Sequence, residues 1–299
     1  LQSEEGSISR QLIEDDEAPS RTSILFLDEP DHSRVRPPLA KAFYARINKM
    51  KPQIEAIVDE TIEAAPANGR FDLMAEIAVP IPVLVIARIL GVDEDRLPEF
   101  RQWSEDVILG LNPVRTPEET ARMETGSIAL DTYFRELMEA RRSVPGDDLI
   151  SDMVQLQASG DAPLSDDELV INLGALLVGG NLTTTDLIGN GVWLFLTHPD
   201  QKAVAGCPMK HRQVVFCSLA SANRDADTFD APDAFDITVK RPSHVAFGGG
   251  PHICIGAPLA RMEARRVYQK LFERYPDMRL PEQDMVWRAL PFFRGLERL

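Results

Sequence analysis

Apolar residues recur at the three- and four-residue spacing of amphipathic helices through most of this 299-residue chain. The pattern predicts a turn followed by a helix over residues 28–51, and helical structure over residues 54–90. Within the second stretch, residues 71–73 are typical of a helix start and Gly91 of a helix end. We therefore expect a mainly helical fold.

The longest predicted helix begins at a capping box formed by Ser165 and Glu168 and continues to about residue 197. Polar residues interrupt its apolar run, which indicates a buried helix rather than a membrane span. Its middle holds poor helix formers, namely Gly179, Gly180 and the threonines at 183–185. Such residues suit contact with a ligand, a bend, or close packing of helices, and taken alone they favour none of these.

Composition limits the fold and the partners. An apolar content of 44% can fill one large core, and we predict a single domain over residues 1–299 with a minor β-sheet that includes a strand-like segment at 213–216. The net charge of −15 argues against a nucleic-acid partner, because a phosphate backbone requires a basic surface. The three cysteines follow no pairing pattern, which suits a reducing cytoplasm.

A glycine-rich loop surrounds one cysteine. Residues 247–261 read Phe-Gly-Gly-Gly-Pro-His-Ile-Cys-Ile-Gly-Ala-Pro-Leu-Ala-Arg. The glycines allow the backbone to approach a flat ligand, and Cys254 precedes a predicted helix start at residues 257–258. A helix N-terminus stabilises a thiolate. A lone cysteine is usually an inert buried side chain, so the loop and the cysteine together predict a ligand site.

The loop resembles the haem-binding loop of the cytochrome P450 superfamily, whose pattern is Phe-x-x-Gly-x-His-x-Cys-x-Gly. Phe247, Gly250, His252, Cys254 and Gly256 match it. The resemblance implies the cytochrome P450 fold, with haem b held between a long distal helix and the cysteine loop. It also implies that the Cys254 thiolate is the axial iron ligand, and that Phe247, Gly248, His252 and Gly256 contact the haem.

The middle of the long helix resembles the distal helix of the same family, Ala/Gly-Gly-x-Asp/Glu-Thr-Thr. The resemblance places Gly179 and Gly180 on the oxygen side of the haem and Thr183 at the catalytic threonine. Leu182 occupies the usual acidic position, so the carboxylate that helps relay protons is absent. Asn181, Asp186 or a chain of waters could replace it, although we expect Asp186 on a different face of the helix from Leu182.

A third segment, at 28–36, resembles the family helix in which a histidine and an arginine four residues later bind a haem propionate. These residues are His32 and Arg36, and at this spacing both lie on one side of a helix. Basic residues follow this pair and also follow Cys254, which implies a ferredoxin-type electron donor on the cysteine side of the haem. The basic residues in question are Arg34, Lys41, Arg46, Lys49, Arg261, Arg265, Arg266 and Lys270.

Two amphipathic helices predicted over residues 97–110 and 117–142 would roof the substrate pocket, as the family pair does. The resemblance also implies pocket walls at Ala175, Val178 and Leu182, with Phe292 and Phe293 near the C-terminus. We predict a monooxygenase that inserts one oxygen atom of O2 into an apolar small molecule, using electrons from NAD(P)H delivered by a ferredoxin.

Other functions remain open at this stage. Leu182 leaves room for a haem-binding peroxygenase or isomerase that does not activate O2. A cysteine-nucleophile hydrolase would use Cys254 with His244 or His252, but it has no supporting family pattern. A metal site would use Cys207, His211 and Cys217, which form no paired Cys-x-x-Cys unit.

The chain departs from the family after residue 200. The family's Glu-x-x-Arg helix and propionate-binding strand are not recognisable between the distal helix and Cys254. The spacing occurs elsewhere at Glu119/Arg122, Glu139/Arg142 and Glu263/Arg266, which we interpret as chance matches. We expect that a segment is missing from the sequence near residues 205–207, and that the family's N-terminal helices are missing too.

Overall fold

The computed structural model describes residues 22–67, 69–112, 115–196, 219–234, 242–280, 285–288 and 294–299. Eight α-helices lie within these residues and account for most of them, as the apolar spacing predicts. We number them α1 to α8 in chain order: α1 Asp31–Ala64, α2 Pro80–Leu90, α3 Leu97–Val107, α4 Pro117–Ser143, α5 Leu149–Ser159, α6 Asp166–Leu196, α7 Leu219–Ala222 and α8 Ala257–Arg274.

Helix α1 is longer than predicted, because it continues through Pro52 to Ala64 without a break. Proline inside a helix removes a hydrogen bond and costs about 3 kcal/mol. Buried residues such as Phe43, Ile47 and Ile54 form a continuous apolar side that extends past the proline. Full burial of each such side chain contributes about 1.5–3 kcal/mol, so packing maintains one helix where local sequence predicts two.

The stretch predicted as helix over 54–90 is interrupted after Ala64 and resumes as a short π-helix, Met74–Ala78, that leads into α2. The predicted start at residues 71–73 is confirmed, since the Asp72 carboxylate accepts a hydrogen bond from the Met74 N–H at 2.9 Å. The predicted end is confirmed as well. Gly91 adopts a left-handed conformation with φ of 81°, and its N–H donates to the Ala87 carbonyl.

Helices α3 and α4 pack against each other, and both contact α6. A short 3-10 turn, Ile108–Leu111, follows α3, so the predicted helical segment over 97–110 is largely confirmed. Helix α5 was not predicted. Its N-cap is Asp148, and its buried residues include Leu149, Ile150 and Met153.

Helix α6 crosses the core and contacts α2, α3, α4 and α8. Its predicted capping box is present. The Ser165 N–H donates to the Glu168 carboxylate at 2.8 Å, and the Glu168 N–H donates to the Ser165 hydroxyl at 3.1 Å. Among the described residues no helix is long and apolar enough to cross a membrane.

The β-structure of the described residues is one antiparallel bridge, between Trp287 and Leu296. Two short 3-10 turns, Glu94–Arg96 and Gly250–His252, complete the regular structure described. The predicted strand at 213–216 and the junction near 205–207 lie outside the described residues.

Candidate functional site

The loop that carries Cys254 is built from its own backbone hydrogen bonds. The Gly248 N–H donates to the Val245 carbonyl at 2.8 Å, and the Cys254 N–H donates to the Phe247 carbonyl at 2.8 Å. Gly248 and Gly250 have φ angles of 72° and 63°, in the left-handed region that favours glycine. These hydrogen bonds bring residues 247 and 254 together just before α8.

The Cys254 thiol is free and exposed. Gly256 is the N-cap of α8, and a β-carbon added there would lie 3.8 Å from the Cys254 sulfur. The sulfur is therefore close to the first turn of α8, where unpaired N–H groups and the helix dipole favour an anion. The Arg261 guanidinium lies 4.5 Å from the centre of the Phe247 ring and holds that ring against α8.

The two residues predicted to bind a haem propionate, His32 and Arg36, contact the cysteine loop. The rings of His32 and His252 have centroids 4.2 Å apart, and Arg36 donates a hydrogen bond to the Ile253 carbonyl. His32 and Arg36 occupy successive turns of α1. The N-terminal end of α1 thus contacts the cysteine loop, although more than two hundred residues separate them in the sequence.

His32 is 4% exposed, and its Nε2 atom has no hydrogen-bond partner among the described residues. Burial is the main cause that lowers its pKa, and the nearby His252 and Arg36 lower it further. His32 is therefore neutral near pH 7 and keeps one ring nitrogen unused. An unpaired nitrogen, an arginine and an exposed thiol within one surface fit a flat group that carries carboxylates and a metal, as haem does.

Helix α6 presents an exposed line of residues one turn apart. Gly179, Thr183 and Leu187 are exposed, and Ala175 one turn earlier is half-buried. A β-carbon at Gly179 would meet no atom within 4 Å, and the Thr183 hydroxyl donates to the Gly179 carbonyl at 2.6 Å. The Tyr268 hydroxyl of α8 donates to the Leu187 carbonyl at 2.8 Å. The helix that follows Cys254 therefore packs beside this line.

Gly180 has a different environment from the one predicted. A β-carbon there would lie 2.8 Å from Cγ1 of Ile86 in α2. Consecutive residues on a helix are rotated by about 100°, so Gly180 points towards α2 while Gly179 points to open space. The prediction that both glycines face the oxygen side is wrong for Gly180, which permits close packing of two helices.

Leu182 and Val178 also point away from the exposed line. Leu182 is 1% exposed and Val178 is 9% exposed, and both belong to the main hydrophobic core. They are four residues apart and share the buried side of α6. The prediction that Leu182 is a pocket wall is therefore wrong. Among the predicted wall residues that the structure describes, Ala175 alone lies on the exposed line of α6.

Asp186 was expected on a different face from Leu182, and this is wrong because a spacing of four residues places both on one side of the helix. Asp186 is 7% exposed and forms an ion pair with Arg288 from the C-terminal segment. Burial raises the pKa of Asp186 to about 6, against the opposing influence of Arg288 and Arg101. No sequence signal indicated that Arg288 pairs with Asp186. The four-residue spacing between Leu182 and Asp186, in contrast, was enough to place both on one side of the helix.

Residues of α3 and α4 line a cavity of about 470 Å³. That this helix pair roofs the substrate pocket stays a prediction. Its lining is rich in charge and includes Arg101, Glu105, Arg122 and Arg288. Thr185 of α6 also lines it. A cavity of this size and polarity can hold several waters, since each occupies about 30 Å³ in liquid water.

Several basic residues predicted to attract an electron donor are instead engaged in ion pairs. Arg34 pairs with Glu168, Arg46 and Lys49 pair with Asp147, and Arg266 pairs with Asp59. Lys270 lies 3.7 Å from Asp59 as well. Lys41, Arg261 and Arg265 are exposed, and none of the three has a carboxylate partner among the described residues.

The three Glu-x-x-Arg spacings have local roles. Glu119 completes the capping box of α4, Glu139 and Arg142 form an exposed ion pair, and Glu263 is buried alone. The remaining predicted site residues, Phe292 and Phe293, lie outside the described residues, as do Cys207, His211 and Cys217. The described part of the chain contains no cluster of three or more histidine, cysteine or acidic residues suited to a metal ion.

Comparison with known proteins gives consistent matches. A family model described as Cytochrome P450 matches residues 201–292. Cytochrome P450 107B1 of Saccharopolyspora erythraea is 36% identical, with 92% of this chain and 76% of that protein covered. Vitamin D(3) 25-hydroxylase of Pseudonocardia autotrophica is 32% identical, with 92% and 76% covered. The crystal structure of Mycobacterium smegmatis CYP164A2 with econazole bound superposes with a TM-score of 0.85 at 31% identity, covering 98% of this chain and 84% of that one.

Proposed function

The chain belongs to the cytochrome P450 superfamily, and we propose that Cys254 is the axial ligand of its haem. Family members bind haem b, and relatives of this chain are named monooxygenases and hydroxylases, so the chain is a haem-thiolate monooxygenase. One observation carries the assignment of Cys254. It is the exposed thiol beside the first turn of α8, within the cluster of His32, Arg36 and His252.

The same cluster would hold the two propionates. His32 offers a buried nitrogen without a partner, and Arg36 is fixed to the cysteine loop through the Ile253 carbonyl. A carboxylate that accepts hydrogen bonds from these groups would remove the cost of a buried unpaired polar atom, about 1–3 kcal/mol. Gly248 and Gly256 would leave the backbone free to approach the macrocycle.

On the opposite side, the exposed line of α6 would face the reacting oxygen. Haem supplies the oxygen-activating redox chemistry when bound. Gly179 leaves space there, and Thr183 holds a hydroxyl proton that currently points to the Gly179 carbonyl. A hydroxyl has one donor and two acceptor positions, so Thr183 can accept a proton from one side while it donates towards the other.

We further propose that the substrate is a largely apolar molecule that contacts Ala175 and the neighbouring part of α6. Support comes from the relative named vitamin D(3) 25-hydroxylase and from the econazole-bound structure of CYP164A2. The charged cavity under α3 and α4 suits water better than such a substrate. A screen of apolar compounds for a shift of the haem Soret band on binding would test the substrate class, and a response to charged compounds alone would contradict it.

An acidic ferredoxin would bind where Arg261 and Arg265 are exposed on the part of α8 that follows the cysteine loop, together with Lys41, which is exposed on α1. The chain carries a net charge of −15, so a small basic surface would orient an acidic partner. Arg265→Glu should slow haem reduction by the ferredoxin at low salt and leave the haem spectrum unchanged. Arg70→Glu is the matched control, because Arg70 is exposed and lies beyond the far end of α1. Equal slowing in both variants would contradict this docking surface.

Two variants test the haem site itself. Cys254→His should retain haem but lose the long-wavelength Soret band of the reduced CO complex that a thiolate ligand gives. His32→Ala should lower haem retention during gel filtration, whereas His244→Ala in the neighbouring exposed segment should not. A Cys254→His protein with an unchanged CO spectrum would overturn the assignment of the ligand.

A further inference from the structure

Proton delivery to Thr183 needs a donor, and the usual acidic position before the threonine holds Leu182 in the core. Asp186 is three residues after Thr183 and four after Leu182. On a helix these spacings correspond to rotations of about 60° and about 40°, which makes Asp186 a neighbour of both. Side chains on a helix lean towards its N-terminus, so the Asp186 carboxyl group leans over the turn that contains Thr183.

The surroundings of Asp186 connect it with water. Its partner Arg288 lines the charged cavity of about 470 Å³, as do Arg101 and Thr185. Two described elements therefore place charges next to the Asp186 carboxylate, Arg288 from the C-terminal segment and Arg101 from α3. Arg101 is itself paired with Glu105 at 2.8 Å. The ion-pair partner of this buried carboxyl group thus lines a space that can hold several waters.

We propose that Asp186 is the positioning residue that supplies protons to Thr183 in place of the carboxylate absent at Leu182, and that it is reprotonated from the charged cavity. The proposal rests on the proposed function, because Thr183 is its acceptor. It assigns a role in the monooxygenase reaction to a residue outside the family pattern.

The proton transfer balances without any other reactant. The protonated Asp186 carboxyl group gives its proton, through one bridging water, to the Thr183 hydroxyl oxygen. Thr183 at the same time passes its own hydroxyl proton towards the haem side. The resulting Asp186 carboxylate stays paired with Arg288 and is then reprotonated by a proton from bulk solvent, which the cavity waters relay, so that each proton delivered is replaced by one from solvent.

The protonation of Asp186 suits this role. Burial raises its pKa to about 6, while Arg288 and Arg101 lower it. A donor is most effective when its pKa is close to the working pH, because both forms are then populated. An exposed aspartate, with an ordinary pKa near 4, would be almost fully ionised at neutral pH.

A purely structural role is the competing explanation, and the C-terminal segment has other ties to α6. The Asn190 side chain donates to the Arg294 carbonyl, and the rings of Trp193 and Trp287 lie 5.2 Å apart. Loss of the Asp186 ion pair would then lower stability without changing how protons are delivered. The test therefore needs a readout that stability alone does not move.

Asp186→Asn removes the titratable group with little change of shape. The matched control is Asp148→Asn, since Asp148 is also buried and paired with an arginine, Arg141 at 2.6 Å. Asparagine is equally good as the N-cap of α5, so this control removes a buried charge only. In the holoprotein, infrared difference spectra should show a protonated carboxyl signal that titrates near pH 6 and disappears in Asp186→Asn but not in Asp148→Asn.

Product formed per NAD(P)H should fall about tenfold in Asp186→Asn, with a matching rise in peroxide and a larger solvent isotope effect. Asp186→Glu should recover part of the yield. Arg288→Gln should move the pH profile of product yield upward, because loss of the cation raises the Asp186 pKa further. If Asp186→Asn does not retain haem, the pH profile of product yield in Arg288→Gln becomes the test of the proposal.

An unchanged yield in Asp186→Asn, or an Arg288→Gln profile that does not move, would overturn the proposal. The infrared signal does not depend on turnover or on Cys254. Its absence would contradict the role of Asp186 while leaving the haem assignment intact, whereas a CO spectrum unchanged in Cys254→His would contradict the haem assignment alone.

Discussion

Replacing Glu263 by glutamine should remove a pH dependence of folding that one buried carboxyl group creates. Glu263 lies on the inner side of α8, is 1% exposed, and has no hydrogen-bond partner for either carboxylate oxygen among the described residues. Burial disfavours the charged form and raises the pKa of Glu263 from 4.5 to about 8. The side chain is therefore protonated in the folded protein at neutral pH.

The size of the effect follows from the two pKa values. The unfolded chain loses this proton near pH 4.5, whereas the folded protein keeps it until about pH 8. Stability from this group is complete below the unfolded pKa and is lost progressively as the pH rises towards the folded one. At about 1.4 kcal/mol per pH unit, the free energy of unfolding at pH 7 is lower by about 3 kcal/mol than in acid.

The measurement is urea unfolding of the holoprotein from about pH 5 to about pH 8, followed by circular dichroism. Glu263→Gln should match the parent at the acid end and exceed its free energy of unfolding increasingly towards pH 8. Glu273→Gln on the same helix is the control, since Glu273 is exposed. If parent and Glu263→Gln give parallel curves, the carboxyl group is not buried unpaired and the reasoning fails.

Two further predictions concern helix packing and a buried charge. Gly179→Ala should raise the free energy of unfolding by about 1 kcal/mol, because alanine has the higher helix propensity and the added β-carbon meets no atom. Gly180→Ala should lower the free energy of unfolding by about 1–3 kcal/mol, because its β-carbon meets Ile86. Thermal melting distinguishes the two variants. Arg46→Ala should lower the free energy of unfolding by about 1–3 kcal/mol, because the buried Arg46 bonds the Asp152 carboxylate and the Asp148 carbonyl, and urea midpoints would show the loss.

The sequence correctly predicted those structural features that depend only on residues close together in the chain. The Ser165–Glu168 capping box, the helix end at Gly91 and the turns of the Cys254 loop involve groups within a few residues of each other. Sequence alone places such groups correctly because the backbone fixes their separation. The long α6 and the helical fold class follow from apolar spacing for the same reason.

Features that depend on a distant partner were missed or misassigned. Gly180 is small because of Ile86, almost one hundred residues earlier, and Arg34 is occupied by Glu168. Glycine beside a haem and glycine beside another helix look alike in a sequence. The helix α1 was split at Pro52 because the cost of a proline is local, whereas the packing that outweighs it comes from other elements.

The position of Leu182 yields a last prediction, which opposes the simplest expectation from the family pattern. From the family pattern alone, Leu182→Asp is expected to restore proton delivery. Leu182 is 1% exposed within the core, so Leu182→Ala alone should cost about 2–5 kcal/mol, and an unpaired carboxyl group in its place should cost more. We expect Leu182→Asp to melt at a lower temperature than Leu182→Ala, with no gain in product per NAD(P)H.

Experiment can therefore distinguish a carboxyl group at position 186 from one introduced at position 182. Asp186 has an arginine partner that lines the charged cavity, whereas Leu182 belongs to the main hydrophobic core and does not line that cavity. A carboxylate acts in proton transfer only where both its forms can be reached from water. If Leu182→Asp raised the product yield while its melting temperature stayed near that of the parent, position 182 would be open to water and the role of Asp186 would lose its structural reason.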